Sequence, residues 1–360
     1  MFVPLPDGSQ VPIESVSVDT EKETLGVWSC PSGNSTKAIT SMKEKGQEWL
    51  DRAKESKLSR RDVWFLVDTQ FWPKVSYGLC CNTSSLQQLT LCLKKQYWQL
   101  LPLGGVIRSA PAGMRQTSKG FYGIGCPHVG VECCVAQTNK LLMHYGCPSN
   151  LGFFMKISVN FFILELGISL QPFQESFSKY GSWVTHCWIK TLWEKCGEFG
   201  VTVQLNDIEI SLPREGDKWI MGEFVRSSCY SKNELERLNK VRIHMQVLFI
   251  SDILGASGKV LDRQYYNRRL PSEKWSKLDF PKEKPPNKDI RLWCSAIRQL
   301  VPIGGLPDKL GRLRHEGHKI WTWRHDTINA RLLHYRKSGV DVYIMAQHSR
   351  RGNRWMRTGN

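Results

Sequence analysis

Residues 36–53 read TKAITSMKEKGQEWLDRA, and Ile39, Met42, Gly46, Trp49, Leu50 and Ala53 recur in it at threes and fours. Lys43, Glu44, Lys45, Glu48, Asp51 and Arg52 fill the other face, so the spacing predicts a helix buried along one stripe. The turn-forming run Cys30-Pro-Ser-Gly-Asn-Ser35 leads into it, and Thr24-Leu25-Gly26-Val27-Trp28 before that reads as a short strand. On the C-terminal side, Ser59 stands as an N-cap before Arg60-Arg61-Asp62. Val63-Trp64-Phe65-Leu66 then begins a second helix that must end before Pro73. A third helix is expected over 84–101, capped by Thr83 or Ser84 and broken by Pro102. Residues 104–127 carry Arg108, Arg115 and Lys119, end in Gly120-Phe-Tyr-Gly-Ile-Gly125 before Cys126, and read as a loop.

Helices resume over 131–145, 151–166 and 177–197. Residues 201–212 alternate with period two about Asn206-Asp207, which is a hairpin signal. Ser231-Lys-Asn-Glu234 is a capping box opening a helix that runs through Ile250. Residues 318–324 and 330–347, broken at Ser338-Gly339, alternate like three strands of a small antiparallel sheet. The fold class is mainly α with minor β. The expected divisions are a helical bundle over 30–150 after an N-terminal segment 1–29, a second helical domain over 151–266 with the hairpin 201–212, a Lys/Pro-rich linker over 267–290, and a basic C-terminal module with antiparallel β structure over 291–360.

The chain has 360 residues, 41% hydrophobic and 23% charged, enough to bury a core without disulfide staples. Lys and Arg exceed Asp and Glu by 50 to 33, a net charge of +17 that favours a polyanionic partner. The excess is +4 over 1–150, zero over 151–266 and +13 over 267–360, so the last quarter is the strongest electrostatic candidate. No basic region followed by an apolar run opens the sequence, which gives an intracellular expectation. The longest apolar stretch, residues 152–170, is interrupted by Lys156, Asn160 and Glu165 and reads as a buried amphipathic helix with no membrane partner.

Catalytic signatures are absent from the sequence. Cys126, His128, Cys133, Cys134, His144 and Cys147 match no established zinc-finger spacing, and the twelve cysteines read as free, buried thiols. There is no Walker A loop, dinucleotide fingerprint or G-x-S-x-G elbow. Two-metal phosphoryl transfer in template-directed polymerases uses adjacent carboxylates, and the chain contains no Asp-Asp pair; Asp207 and Glu209 read as surface or edge residues. What remains is basic and aromatic interleaving. Lys54, Lys57, Arg60, Arg61 and Lys74 surround a helix junction with Trp64 and Trp72, the two rings reading as core. A second set comprises Arg312, Arg314, Lys319, Arg324, Arg350, Arg351, Arg354 and Arg357, with a terminal basic arm as its simplest form.

Several of these features fall in a familiar order: Thr24-Leu25-Gly26-Val27, the Gly/Ser turn, the Trp49 helix, Arg60-Arg61-Asp62-Val63-Trp64, Pro73-Lys-Val-Ser-Tyr-Gly78, Leu101-Pro-Leu-Gly-Gly105 and Gly120-Phe-Tyr-Gly-Ile-Gly125. Together they resemble the stretch that follows the palm in reverse transcriptases of non-LTR-type retroelements. The later motifs Gln137-Thr-Asn-Lys-Leu-Leu142, Thr185-His-Cys-Trp188, Leu212-Pro-Arg-Glu-Gly-Asp217 and Arg242-Ile-His-Met-Gln-Val-Leu248 are similar to the C-terminal part of retroelement-derived reading frames. The resemblance implies that residues 1–29 hold a palm-closing strand and residues 30–150 a helical thumb, which grips primer and template. It implies RNA, DNA or an RNA/DNA hybrid as partner, together with a separate or upstream palm. Mg2+ belongs only to such a palm, so the expected fragment has no cofactor and no catalytic site of its own. The alternative expectation is a domesticated helical module that binds protein through its Trp-rich surfaces.

Overall fold

The helix predicted over 36–53 is α1 (Thr36–Glu55), and the residues it buries are Met42, Gly46, Trp49, Leu50 and Ala53, the predicted stripe except Ile39, which is partly buried against the same core. The computed structural model describes residues 2–4, 10–12, 17–206, 208, 210, 212–245, 247–255, 258–261, 285–311, 321–326, 331–336, 342–348 and 352–358. The chain forms two units: Met1–Met155 with Thr185–Val203, and Lys156–Val184 with Gln204–Asn360.

In the first unit, β1 (Phe2–Pro4) pairs with β2 (Gln10–Pro12), and β3 (Lys22–Thr24) with β4 (Val27–Ser29), both antiparallel. Leu25 and Gly26 have φ of +51° and +78°. Two left-handed residues are what a tight two-residue hairpin requires, so the segment read as one strand is the turn between two. α2 (Arg60–Leu66) begins where expected, the Ser59 hydroxyl accepting the Asp62 N–H at 3.2 Å. It does not stop before Pro73. A π-helical turn, Val67–Phe71, carries it into α3 (Trp72–Ser76). The Trp72 N–H bonds the Val67 carbonyl five residues back, and this wider turn admits the Pro73 ring into a continuous helix.

The third predicted helix is two, α4 (Leu86–Cys92), opened by a Ser85–Gln88 capping box, and α5 (Lys94–Leu103), with Leu93 non-helical between them. The first-unit core joins Trp49, Leu50, Val63, Val67, Phe71, Leu89 and Cys133, with Trp64 and Trp72 packed against it. α6 (Ala112–Gln116) and α7 (Val129–His144) follow, and α8 (Asn150–Leu166) comes next. The helix predicted over 177–197 is instead the single turn α9 (Phe177–Tyr180), a 3-10 turn, and α10 (Trp188–Phe199), because Cys187 is fully extended at φ −158°.

α10 belongs to the first unit, although the sequence boundaries put it in the second helical domain. Two bonds explain the assignment: the Trp188 indole donates to the Cys80 carbonyl at 2.7 Å, and Lys195 reaches the Ser84 carbonyl at 3.4 Å. Lys195 has no exposed surface; its other hydrogen bond is to the Thr191 carbonyl at 3.1 Å, and no carboxylate is bonded to it among the described residues. Burial pushes its pKa below the ordinary 10.5. Between the lowered native value and 10.5 the unfolded chain binds more protons, so stability rises with pH through that window. Lys195→Met is expected to raise stability at neutral pH by about 1 kcal/mol and to abolish the alkaline rise. Urea unfolding at neutral and alkaline pH measures both, and a variant less stable than the parent at neutral pH would contradict the expectation.

In the second unit, α8 contributes Val159, Phe162, Ile163 and Leu166 to the interior, and the Phe162 ring lies 5.8 Å from that of Phe173. Residues 201–212 make no strand among those described. Leu205 is buried, and the Gln171 side-chain amide bonds both its N–H (3.0 Å) and its carbonyl (2.8 Å). The Gln171 amide thus satisfies both backbone groups of Leu205, and the alternation that suggested a hairpin is burial of Val203 and Leu205. α11 (Ile220–Arg226) and α12 (Lys232–His244) follow. The Ser231–Glu234 capping box is present as read, and α12 ends at His244 instead of reaching Ile250.

α13 (Asn287–Leu300) starts inside the segment expected to be linker; the rest of that segment up to residue 284 lies outside the described residues. Arg237 fastens α12 to α13 through Asp289 at 2.6 Å, and Trp293 meets Phe224 edge to face at 5.8 Å. The C-terminal sheet has four strands in the order β5 (Trp321–Asp326), β6 (Arg331–Arg336), β7 (Val342–His348), β8 (Gly352–Thr358), all antiparallel. The fourth takes the place of the expected basic arm. Its backbone pairs with β7 from Val342↔Thr358 to His348↔Gly352. No helix among the described residues is long and apolar enough to cross a membrane.

Candidate nucleic-acid interface

α1 ends in a turn at Lys57, whose φ of +48° reverses the chain toward Ser59 and α2. Arg60, Trp64 and Asp68, spaced at i, i+4 and i+8, then share one face of the helix and its π extension. Each meets the Gly-rich loop that follows α5. The Arg60 side chain lies so close to Gly105 that a Cβ there would stand 2.6 Å from its Cδ. The Trp64 indole donates to the Gly104 carbonyl at 3.0 Å, again over a glycine where a Cβ would clash. Asp68 pairs with Lys119 at 2.7 Å. On the adjoining face, Arg61 and Phe65 are one turn apart, both exposed, Phe65 at 64%.

The loop is internally braced. Gly123 N–H bonds the Ser118 carbonyl (3.1 Å), Ile124 that of Met114 (2.9 Å), Gly125 that of Thr117 (2.9 Å) and Cys126 that of Arg115 (2.7 Å). A Cβ at Gly123 would lie 2.0 Å from the Thr117 carbonyl oxygen, so only glycine closes this turn. Tyr122 just before it is left-handed at φ +61°. The outcome is two aromatic rings in solvent: Phe121 is 81% and Tyr122 97% exposed.

Between the loop and the start of α7 lies an open cleft of about 610 Å³ lined by Asp68, Lys119, Cys126, His128, Glu132 and Phe199. Three of its groups are already partnered. Asp68 is paired with Lys119, and His128 caps α7, its Nδ1 accepting the Val131 N–H at 3.1 Å. Burial lowers the His128 pKa, and burial pushes the Cys126 thiol up to about 11. The Cys126 thiol is thereby held toward its protonated form. Among the described residues, no group of three His, Cys, Asp or Glu side chains is placed to hold a metal ion.

The sequence-predicted contacts separate into three sets. Lys57, Arg60 and Arg61 are exposed at the junction and make no ion pair among the described residues. Lys54 and Lys74 are tied down: Lys54 to Asp51 (3.0 Å) and Gln99 (2.7 Å), Lys74 to Glu48 (2.8 Å), which also holds Arg52. In the C-terminal set, Arg324 stands opposite Leu333 in the sheet, Arg354 opposite Ala346 and Arg357 opposite Tyr343. Arg312, Arg314, Lys319, Arg350 and Arg351 lie outside the described residues. Sequence reasoning missed Phe65, Phe121 and Tyr122. The signal for the last two was present: rings enclosed by Gly120 and Gly123 on a tight turn have no helix or strand to carry them into a core.

Comparisons with protein families, with curated proteins and with solved structures find no match to this chain.

Proposed function

We propose that the chain binds nucleic acid through the α1–α2 junction and the loop fastened to it, and that it is the C-terminal, non-catalytic part of a retroelement reverse transcriptase. The observation that carries the binding is the cluster Lys57, Arg60 and Arg61, exposed and without an ion pair among the described residues, beside a loop whose residues 104–127 hold Arg108 and Arg115, with Lys119 paired to Asp68. Such a surface neutralises phosphates, and the affinity it confers falls with salt by about 0.9 log units per contact per log unit of salt on duplex. The retroelement assignment rests on the motif order in the sequence.

Lys57→Gln with Arg60→Gln and Arg61→Gln keeps polar side chains, though shorter ones, while removing the charge. That triple variant is expected to reduce the duplex salt slope by about 2.7, and Lys57→Gln with Arg61→Gln, which leaves Arg60 against Gly105, to reduce it by about 1.8 with the melting temperature unchanged. Fluorescence anisotropy against salt measures it, and a wild-type slope near zero would overturn the proposal.

A protein-binding role is favoured by one observation, the exposed apolar stripe Phe153, Ile157 and Leu164 on α8. It is the reading to adopt if the salt slope is flat.

A further inference from the structure

Large aromatic rings lose favourable free energy when they are left in water, and a bulky residue in the left-handed region adds backbone strain. Phe121 and Tyr122 combine both costs in adjacent positions, with exposures of 81% and 97% and Tyr122 at φ +61°. Neither cost comes from looseness. Four backbone hydrogen bonds from residues 123–126 to residues 114–118 hold the turn, and the Asp68–Lys119 pair holds it to the helix side. The rings are thus presented by a preorganised scaffold, which lowers the ordering cost of binding a flat partner.

The charge around them selects that partner. Arg108 is exposed within the same loop and makes no ion pair among the described residues, Arg115 is half-buried, and Lys119, two residues before Phe121, is exposed and shared with Asp68. A chain of flat apolar faces joined by negative charges fits this alternation of rings and cations. Only unpaired bases offer such faces, because those of a duplex are stacked on one another. We infer that Phe121 and Tyr122 form a stacking platform for the bases of a single-stranded nucleic acid, with the neighbouring cations following its phosphates. The inference rests on the proposed nucleic-acid binding and adds the strand form that is bound.

The test uses the full chain, a labelled oligothymidylate and a labelled duplex of the same length. Phe121→Ala with Tyr122→Ala is expected to weaken single-strand binding about tenfold or more while duplex affinity stays within about twofold. Phe121→Tyr with Tyr122→Phe keeps both rings and is expected to bind as the parent does, which separates loss of stacking from loss of the loop. Single-strand affinity within about twofold of wild type in the alanine variant overturns the inference, as does equal loss on both nucleic acids. A loss seen on phosphatidylserine vesicles and not on the oligonucleotide overturns it in favour of a lipid surface. If the wild type binds neither nucleic acid, the proposed function falls with it; if it binds both with a steep salt slope and the alanine variant is unaffected, the stacking inference alone fails.

Discussion

Arg242→Ala is expected to cost the second unit about 3–5 kcal/mol, read as a large fall in the urea midpoint and melting temperature. Arg242 is 2% exposed. Its Nε donates to Asn239 Oδ1 (2.8 Å), Nη1 to the Val247 carbonyl (3.2 Å), and Nη2 to the carbonyls of Leu164 and Glu165. The last two are terminal carbonyls of α8, which a cation at that end also favours electrostatically. Truncation strips this donor from the Leu164 and Val247 carbonyls, while Glu165 keeps that of Asn239 Nδ2 (2.9 Å), and opens a cavity as well. Arg242→Lys is expected to recover little of the loss, since one ammonium cannot span the guanidinium fork. Gly167 is part of the same arrangement: at φ +66°, a Cβ there would stand 2.6 Å from Arg242 Cζ. Lys195 differs because it serves one carbonyl beyond its own helix, which is why removing its charge is expected to stabilise and removing Arg242 to destabilise. A loss below about 1 kcal/mol for Arg242→Ala would show that the unit does not depend on this cap.

Phe71→Ala is expected to destabilise the first unit by a similar 3–5 kcal/mol or so. The ring is 1% exposed and lies edge on to Trp49 at 5.1 Å and to Tyr97 at 6.4 Å. It also closes the π turn from which Asp68 reaches Lys119, so the consequence extends to the candidate interface. Amide exchange over residues 117–126 is expected to speed up in the variant. Unchanged protection there, despite lower stability, would show that the loop holds itself without the core beneath it.

The helix periods were legible wherever one face is buried against a single core. The stripe of α1, the Ser59 cap and the Ser231–Glu234 box each depend on residues within a few positions of one another. The errors share a different cause. Thr24–Trp28 looked like a strand because its apolar residues hide two left-handed positions, and residues 201–212 looked like a hairpin because Val203 and Leu205 are buried, with Gln171, thirty-odd residues earlier, bonding the Leu205 backbone. At the site, the basic residues were visible in the sequence, but their freedom was not. Lys54 pairs with Asp51 three residues before it, which the helix period already offered, but Lys74 is held by Glu48, twenty-six residues earlier, which no local pattern marks. The β8 strand passed for an arm because its Arg content outweighed its alternation.

By itself, then, the sequence determined a mainly helical chain, a strongly basic balance and the absence of an Asp-Asp pair, because propensity, composition and capping act over a few neighbouring residues. Tertiary structure alone decided that Arg60, Trp64 and Asp68 fasten a loop some forty to fifty residues away, and that Phe121 and Tyr122 stand in water above it. That decision belongs to close approach. A guanidinium and an indole reach Gly105 and Gly104 only because no side chain is there, and contacts of that kind carry no periodic mark in the sequence.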